Sequence, residues 1–335
     1  MKYLSVMVEQ QFMASPQTGK GRIVAIDAAR AVALVAMAVY HFTWDLEYFG
    51  YVESGTAGFG AWKVFARSIA TSFLVLAGIS LVLGHGRGLR WRPWLDRLLR
   101  VSAAAALITV ATWYAMPDTY IFFGILHQIA LASVIGLAFL RLPWVVTAVA
   151  AAAIVALPAV FRDPLFASPW LWWVGLAPLP PMSNDYVPVF PWTGAVLAGM
   201  ALAQLGRSRG WFEALRNSRL NARTPAWLAW PGRHSLAVYL VHQPVLIAMV
   251  WTWAQLFPPA VTVGDARPGC EAQCMTTNDE EFCRAWCLCV LDELDQRGML
   301  GPVLRGNRSA GANDAVAAAR ALCESPQDTT GDQSQ

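Results

Sequence analysis

Charged residues are scarce in this chain of 335 residues: they make up 14% of it, whereas an ordinary soluble domain has about a quarter. Hydrophobic residues make up 56% and fall in long blocks. This balance excludes a disordered protein and a nucleic-acid-binding protein. The sequence also has no phosphate-binding loop, dinucleotide-binding fingerprint or zinc-protease motif, so the enzyme classes built on those motifs are excluded.

The apolar blocks predict an all-α fold, a polytopic integral membrane helix bundle of about seven spans. A bilayer core about 30 Å thick needs about 20 mainly apolar residues in a helix, and each block approaches that length. The predicted spans are residues 23–43, 64–83, 98–116, 119–140, 142–161, 186–206 and a seventh from 235 past 251.

Arginine and lysine residues predict how the chain is oriented. They cluster in loops that lie on one side of the seven predicted spans, and basic loops are typical of the cytoplasmic side. The N-terminus is therefore predicted to be cytoplasmic and the C-terminal region to lie outside. The clustered residues are Lys20, Arg22, Arg87, Arg90, Arg92, Arg97, Arg100, Arg141, Arg207, Arg209, Arg216, Arg219, Arg223 and Arg233.

The chain is predicted to have four parts. Residues 1–22 lack the apolar core of a cleavable signal peptide and form a cytoplasmic tail. Residues 23–257 form the membrane domain, and residues 265–325 form a small, cysteine-rich, helical extramembrane segment. The polar residues 326–335 are a disordered end.

All six cysteines lie in the last 66 residues. Cys270 and Cys274 are four residues apart, as are Cys283 and Cys287, so each pair shares one face of a helix. Two helices that face each other favour the disulfides Cys270–Cys287 and Cys274–Cys283, although six cysteines allow 15 connectivities. The pair that remains is Cys289 and Cys323. Disulfides suit an oxidising compartment; zinc held by four thiolates is the alternative, but no histidine accompanies them.

Ionisable residues inside the first predicted span indicate function, because burying them in a membrane is costly. Asp27 and Arg30 are three residues apart and can pair on a helix. His41 follows Arg30 by eleven positions, about 16 Å of helical rise, and the two lie on the same side of the helix. Asp45 follows His41 by one turn and could fix the orientation of its imidazole.

Two further histidines lie inside predicted spans. His127 and Gln128 belong to the fourth span, and His242 belongs to the seventh. A lone intramembrane histidine is often a hydrogen-bonded packing residue, and for His127 and His242 both interpretations stay open. His41 differs because it shares a helix face with an arginine and has a carboxylate one turn away.

Several motifs resemble those of a known group of membrane enzymes. The run IVAIDAARAVALVAMAVYH, residues 23–41, resembles the first span of transmembrane acyltransferases, in which an arginine, ten residues and a histidine form the signature. FGILHQIALAS (123–133), DYVPVFPWTGAVLAGM (185–200) and GRHSLAVYLVHQPVLI (232–247) resemble motifs of the bacterial relatives of heparan-alpha-glucosaminide N-acetyltransferase. The resemblance covers about residues 20–255 and excludes the cysteine-rich end.

The resemblance implies an acyltransferase. The donor is acetyl-CoA or another acyl-CoA in the cytoplasm, the acceptor is a hydroxyl or amine of an extracytoplasmic carbohydrate, and no metal is expected. By this analogy His41 is the catalytic base. The implied location is the bacterial cytoplasmic (inner) membrane, with the cysteine-rich end in the periplasm.

Acyl transfer needs a base and a stabilised oxyanion. We expect Asp45 to orient His41, and His127 or Gln128 to hold the thioester carbonyl or the acceptor. The sequence leaves direct transfer and a covalent acyl-histidine intermediate both open. Arg30 is a candidate ligand for CoA phosphates, since a guanidinium suits bidentate contact with phosphate.

Other residues are assigned to binding. Asp27 and His242 are grouped with Arg30 at the donor site. The arginines between the second and third predicted spans could assist there, although setting the membrane orientation explains them more simply. Asp185, Tyr186 and Trp192 are candidates for acceptor binding, with interfacial anchoring as the alternative.

Two other functions compete with acyl transfer. A transporter or flippase for a small polar or lipid-linked substrate also uses buried Arg, His and Asp, but no second span mirrors the first as an inverted repeat would. A structural membrane subunit with an envelope partner leaves Arg30 and His41 unexplained. The expected partners are the lipid bilayer, acyl-CoA and a carbohydrate acceptor, with no nucleic acid; the sequence leaves both a monomer and a homodimer open.

Overall fold

The computed structural model describes residues 23–53, 55–86, 88–304, 306 and 309–324. The predicted tail 1–22 and the predicted end 326–335 lie outside these residues. Within them the regular structure is helical, with no strand. The helices are α1 (Val24–Tyr48), α2 (Gly60–His85), α3 (Trp91–Ala115), α4 (Ile125–Ile135), α5 (Trp144–Val160), α6 (Val189–Ser208), α7 (Trp211–Arg216), α8 (Arg219–Arg223), α9 (Ala226–Arg233), α10 (Ser235–Leu256), α11 (Val263–Cys274), α12 (Glu280–Gln296), α13 (Leu300–Leu304) and α14 (Ala310–Glu324).

Five of the seven predicted spans form helices long and apolar enough to cross a membrane, among the residues that the structure describes: α1, α2, α3, α6 and α10. The fourth and fifth predicted spans are shorter apolar helices, Ile125–Phe139 and Trp144–Val160. The fourth is shortened because residues 120–124 are not helical and the helix tightens to a 3₁₀ turn from Gly136. A count of seven spans is therefore not confirmed.

Helix α3 begins seven residues before the predicted third span. The hydropathy pattern placed Arg92 and Arg97 before the third span and Arg100 near its start, and the orientation argument counted all three as loop residues. The structure includes all three in the helix. Arginine is a good helix former, and its long side chain can carry the charge away from the apolar face of the helix. These three arginines therefore have fixed positions on α3.

The described chain divides into two units by its internal contacts, one with Ala57–Ile247 and the chain up to Thr43, the other with Trp44–Thr56 and the chain from Ala248. In the first unit α6 is the central helix: 56% of its apolar stretch is buried, against 28% or less in the other long helices. Gly78 of α2 and Gly199 of α6 permit this packing, because a Cβ at either would overlap a backbone carbonyl of the other helix.

The second unit contains the cysteine-rich helices α11 to α14. Their apolar core is formed by Val290, Leu291, Leu294, Leu300, Ala315, Ala319 and Cys323. The structure forms the disulfides Cys270–Cys287, Cys274–Cys283 and Cys289–Cys323. The first two join α11 to α12 and are the pairs that the helical spacing favours. The third joins α12 to α14 and is the pair of the two remaining cysteines.

Candidate active site

Arg30 is held in a polar network near the start of α1. It donates to the Asp27 carboxylate at 2.8 Å and to the Ser80 hydroxyl of α2 at 2.5 Å. Asp27 is 2% exposed, and the Arg233 Nε atom lies 3.9 Å from its second oxygen. The absence of a side chain at Gly232 permits this close approach to Asp27, because a Cβ there would overlap the Asp27 carbonyl. The pair expected from the spacing of Asp27 and Arg30 is thus present, and it fixes the arginine.

A cavity of about 360 Å³ opens among helices α2, α3, α4 and α10. Its lining combines two guanidinium groups, two hydroxyl-bearing side chains and an apolar wall. The polar residues are Arg97, Arg100, Ser235 and Tyr239, and the apolar ones are Phe73, Val101, Ile125, Leu126, Ile129 and Leu236. This donor cavity, as we call it below, suits a ligand that is anionic at one part and apolar at another.

Arg97 is one of the two guanidinium groups that line the donor cavity. It lies close enough to Arg30 for the two positive charges to repel each other. Within the described part of the chain, Arg97 has no hydrogen bond or ion pair. A guanidinium without a counterion beside a second positive charge is a strong site for an anion.

His41 of α1 contacts His242 of α10. Their ring centroids are 5.0 Å apart and the rings meet edge to face. The Nδ1 atom of His242 lies 2.6 Å from the Tyr239 carbonyl, which accepts but cannot donate, so that nitrogen carries the hydrogen. Nε2 of His242 is then the unprotonated nitrogen of a neutral ring. It is buried and has no hydrogen-bond partner among the described residues.

Tyr239 joins the donor cavity to the histidine pair and is absent from the residues singled out in the sequence. It lines the cavity, its ring contacts that of His242 at 5.6 Å, and its phenol interacts electrostatically with the Asp185 carboxyl. Its position in the motif GRHSLAVYLVHQ, one turn before His242, is the only signal that could have found it.

His127 differs from His242 in that both of its ring nitrogens form hydrogen bonds. Its Nδ1 accepts the Gly124 N–H at 3.2 Å, and Nε2 is 3.2 Å from the Thr109 hydroxyl. Because that hydroxyl donates to the Ile121 carbonyl at 2.7 Å, Nε2 of His127 is the donor. Nδ1 of His127 therefore caps the start of α4 itself, and Nε2 ties α4 to Thr109 of α3. Gln128 is fully buried and donates to the Thr193 hydroxyl of α6 at 2.6 Å.

The motif before α6 packs against the start of α4. Asp185 accepts the Ile125 N–H at 2.9 Å, an anionic partner at a helix N-terminus. Burial raises the pKa of the Asp185 carboxyl to about 6, and this hydrogen bond only partly opposes the rise. Tyr186 donates to the Trp172 carbonyl at 2.6 Å, and burial raises the pKa of its phenol to about 12. Trp192 packs into an apolar cluster around Leu74.

Asp45 follows His41 by one turn of α1, and its side chain is fully buried. Its assignment as the carboxylate that orients His41 stays a prediction.

Comparison with known proteins identifies the family. Residues 22–244, two thirds of the chain, match the profile described as heparan-alpha-glucosaminide N-acetyltransferase, catalytic. No curated protein and no solved structure matches the chain. The matched region contains the donor cavity and both histidines of the pair. The chain therefore belongs to the family of the heparan-alpha-glucosaminide N-acetyltransferase catalytic region.

Proposed function

We propose that the protein is a membrane acetyltransferase that uses cytoplasmic acetyl-CoA as donor. It acetylates an amine or hydroxyl of a carbohydrate on the extracytoplasmic side of the membrane. One observation carries this proposal: Tyr239 both lines the donor cavity with its two guanidinium groups and contacts His242 of the histidine pair. The family assignment favours this function over a transporter or a structural subunit.

The donor is expected to bind in the donor cavity. Arg97 and Arg100 supply the charge that CoA phosphates require, and Arg30 adds to the positive field at Arg97. The apolar wall suits the pantetheine arm. Asp27 then acts indirectly, because its carboxylate holds Arg30 in place.

Chemistry is expected at the histidine pair. His41 takes the proton of the acceptor as its nitrogen or oxygen attacks the thioester carbon. The phenol of Tyr239 is assigned to the developing oxyanion, since this residue lines the donor cavity and its ring contacts that of His242. Asp45 is retained as the group that orients His41. His127 and Gln128 support the site by fixing α4 through the hydrogen bonds described above.

For the acceptor, Asp185 is the strongest candidate, because its carboxyl lies close enough to Tyr239 for a charge interaction. Tyr186 lies just before α6 and Trp192 lies in the first turn of α6. They fix this region through their contacts with the Trp172 carbonyl and with the apolar cluster around Leu74. We propose the bacterial cytoplasmic membrane as the location, with the N-terminus and donor on the basic, cytoplasmic side and the disulfide-linked helices in the periplasm. The oxidised cysteines support that side for the C-terminal region.

The test is acetyl transfer by the purified protein in detergent, with acetyl-CoA as donor and glucosamine as the acceptor probe. Wild type is expected to release CoA and form N-acetylglucosamine. His41→Asn is expected to lower the rate at least about 100-fold, while His234→Asn, a change at an exposed histidine, leaves the rate unchanged. Full activity of the His41 variant would overturn its role. Absence of transfer by wild type would overturn the proposed reaction.

A further inference from the structure

The hydrogen bond to the Tyr239 carbonyl fixes the tautomer of neutral His242. Because a carbonyl only accepts, Nδ1 keeps its hydrogen and Nε2 keeps its lone pair. That lone pair is buried and has no hydrogen-bond partner within the described residues. A packing histidine would satisfy both nitrogens, as His127 does with Gly124 and Thr109.

His242 contacts two residues that take part in the proposed reaction. Its ring centroid lies 5.0 Å from that of His41. It also lies 5.6 Å from the ring centroid of Tyr239, which lines the donor cavity. A base in this position is next to the histidine that gains the acceptor's proton and next to the cavity in which the CoA sulfur is expected.

We propose that His242 is a second catalytic histidine, which accepts at Nε2 the proton that His41 has taken and delivers it to the CoA thiolate. This inference rests on the proposed acetyl transfer. In the complete step the acceptor nitrogen or oxygen bonds to the acyl carbon and the carbon–sulfur bond breaks. The acceptor's proton passes through His41 and His242 to sulfur, and acetylated acceptor and CoA thiol leave.

The fixed Nδ1 hydrogen confines this relay to Nε2, which both gains and loses the proton. When Nε2 gains a proton, the bond from Nδ1 to the Tyr239 carbonyl becomes charge-assisted, which stabilises the imidazolium. When Nε2 loses the proton to sulfur, the ring returns to the same neutral form. His41 is likewise returned to its neutral form, ready for the next acceptor.

The variant His242→Asn separates catalysis from packing. Its side-chain N–H₂ stands near the place of Nδ1 and can still donate to the Tyr239 carbonyl, but the base at Nε2 is gone. With acetyl-CoA and glucosamine we expect at least about a 100-fold loss of rate and an unchanged melting temperature. His234→Asn is the matched control, since His234 makes the same kind of contact with the Trp230 carbonyl, at 3.0 Å, but is exposed.

A second donor tests where the proton goes. The thiolate released from S-(4-nitrophenyl) thioacetate is stable without protonation, so transfer from it does not need His242. With uncatalysed transfer subtracted, we expect the ratio of wild-type to His242→Asn rates to fall to about one, while His41→Asn remains slow with both donors. This role alone would be overturned if His242→Asn transferred from acetyl-CoA at the wild-type rate, or if its loss of rate were as large with the aryl donor as with acetyl-CoA. Absence of transfer by wild type from acetyl-CoA would overturn the proposed function and the relay together.

Discussion

At the scale of single residues, the hydroxyl of Tyr239 is expected to act on the transition state. Tyr239→Phe removes that hydroxyl and keeps the ring against His242. We expect kcat for acetyl transfer to fall about 100-fold with little change in KM, because the hydrogen bond strengthens as the oxyanion forms. Steady-state kinetics with acetyl-CoA and glucosamine measure this. Tyr114→Phe, at an exposed tyrosine of α3, is the control; an equal effect of both changes would argue against the assignment.

The Asp185 carboxyl is expected to make stability depend on pH. Its pKa is raised from 3.8 to about 6 by burial, so the folded protein binds this proton more tightly than the unfolded chain does. The stabilisation is fully present below about pH 4 and is lost as the pH rises through about 6. Melting temperatures in detergent from pH 4 to 7 should show this loss in wild type and in the exposed-site control Asp118→Asn, but not in Asp185→Asn. An identical profile in Asp185→Asn would contradict the shift.

Sequence spacing can predict which residues share one helix face, and it predicted the Asp27 and Arg30 pair. It could not predict that His41 contacts His242, because that contact joins helices about 200 residues apart in the chain. His127 and His242 looked alike in the sequence. Only their hydrogen bonds distinguish them, since His127 uses both nitrogens whereas Nε2 of His242 has no partner among the described residues.

At the scale of elements, the packing of α2 on α6 depends on the absence of side chains. A Cβ at Gly78 would overlap the Val196 carbonyl, whereas a Cβ at Gly84, also in α2, would meet nothing within 4 Å. We expect Gly78→Ala to destabilise the protein by about 1–3 kcal/mol and Gly84→Ala to be neutral or stabilising, since alanine favours a helix. Denaturation in mixed micelles measures both, and equal stability of the two variants would contradict the close helix contact.

Hydropathy predicted the long helices well because their length and composition alone define them. It gave the fourth and fifth spans more length than their helices have. In the fourth, Gly124 and Gly136 bound a short α-helix inside a longer apolar block, and α5 has only 17 residues. Hydropathy also placed Arg97 outside α3, because a window average penalises an arginine that the helix tolerates. The donor cavity was therefore missed, since two of its polar residues had been assigned to a loop.

At the scale of the whole molecule, the disulfides are expected to determine the stability of α11 to α14. The Cys270–Cys287 bond spans 17 residues, and closing a loop of that size contributes about 3 kcal/mol. Reduction should therefore expose this region to trypsin, and mass spectrometry should locate the new cuts between residues 263 and 324. Equal protease resistance with and without reductant would contradict this role of the disulfides.

The central claim is that acetyl-CoA binds in the donor cavity through Arg97, and isothermal titration of acetyl-CoA into the purified protein tests it most directly. Wild type and the control Arg141→Gln, at an exposed arginine, should bind with equal affinity. Arg97→Gln should bind about 10–100-fold more weakly, the loss expected for one charged hydrogen-bonding group. Equal affinity of Arg97→Gln, or no binding by wild type, would contradict the claim.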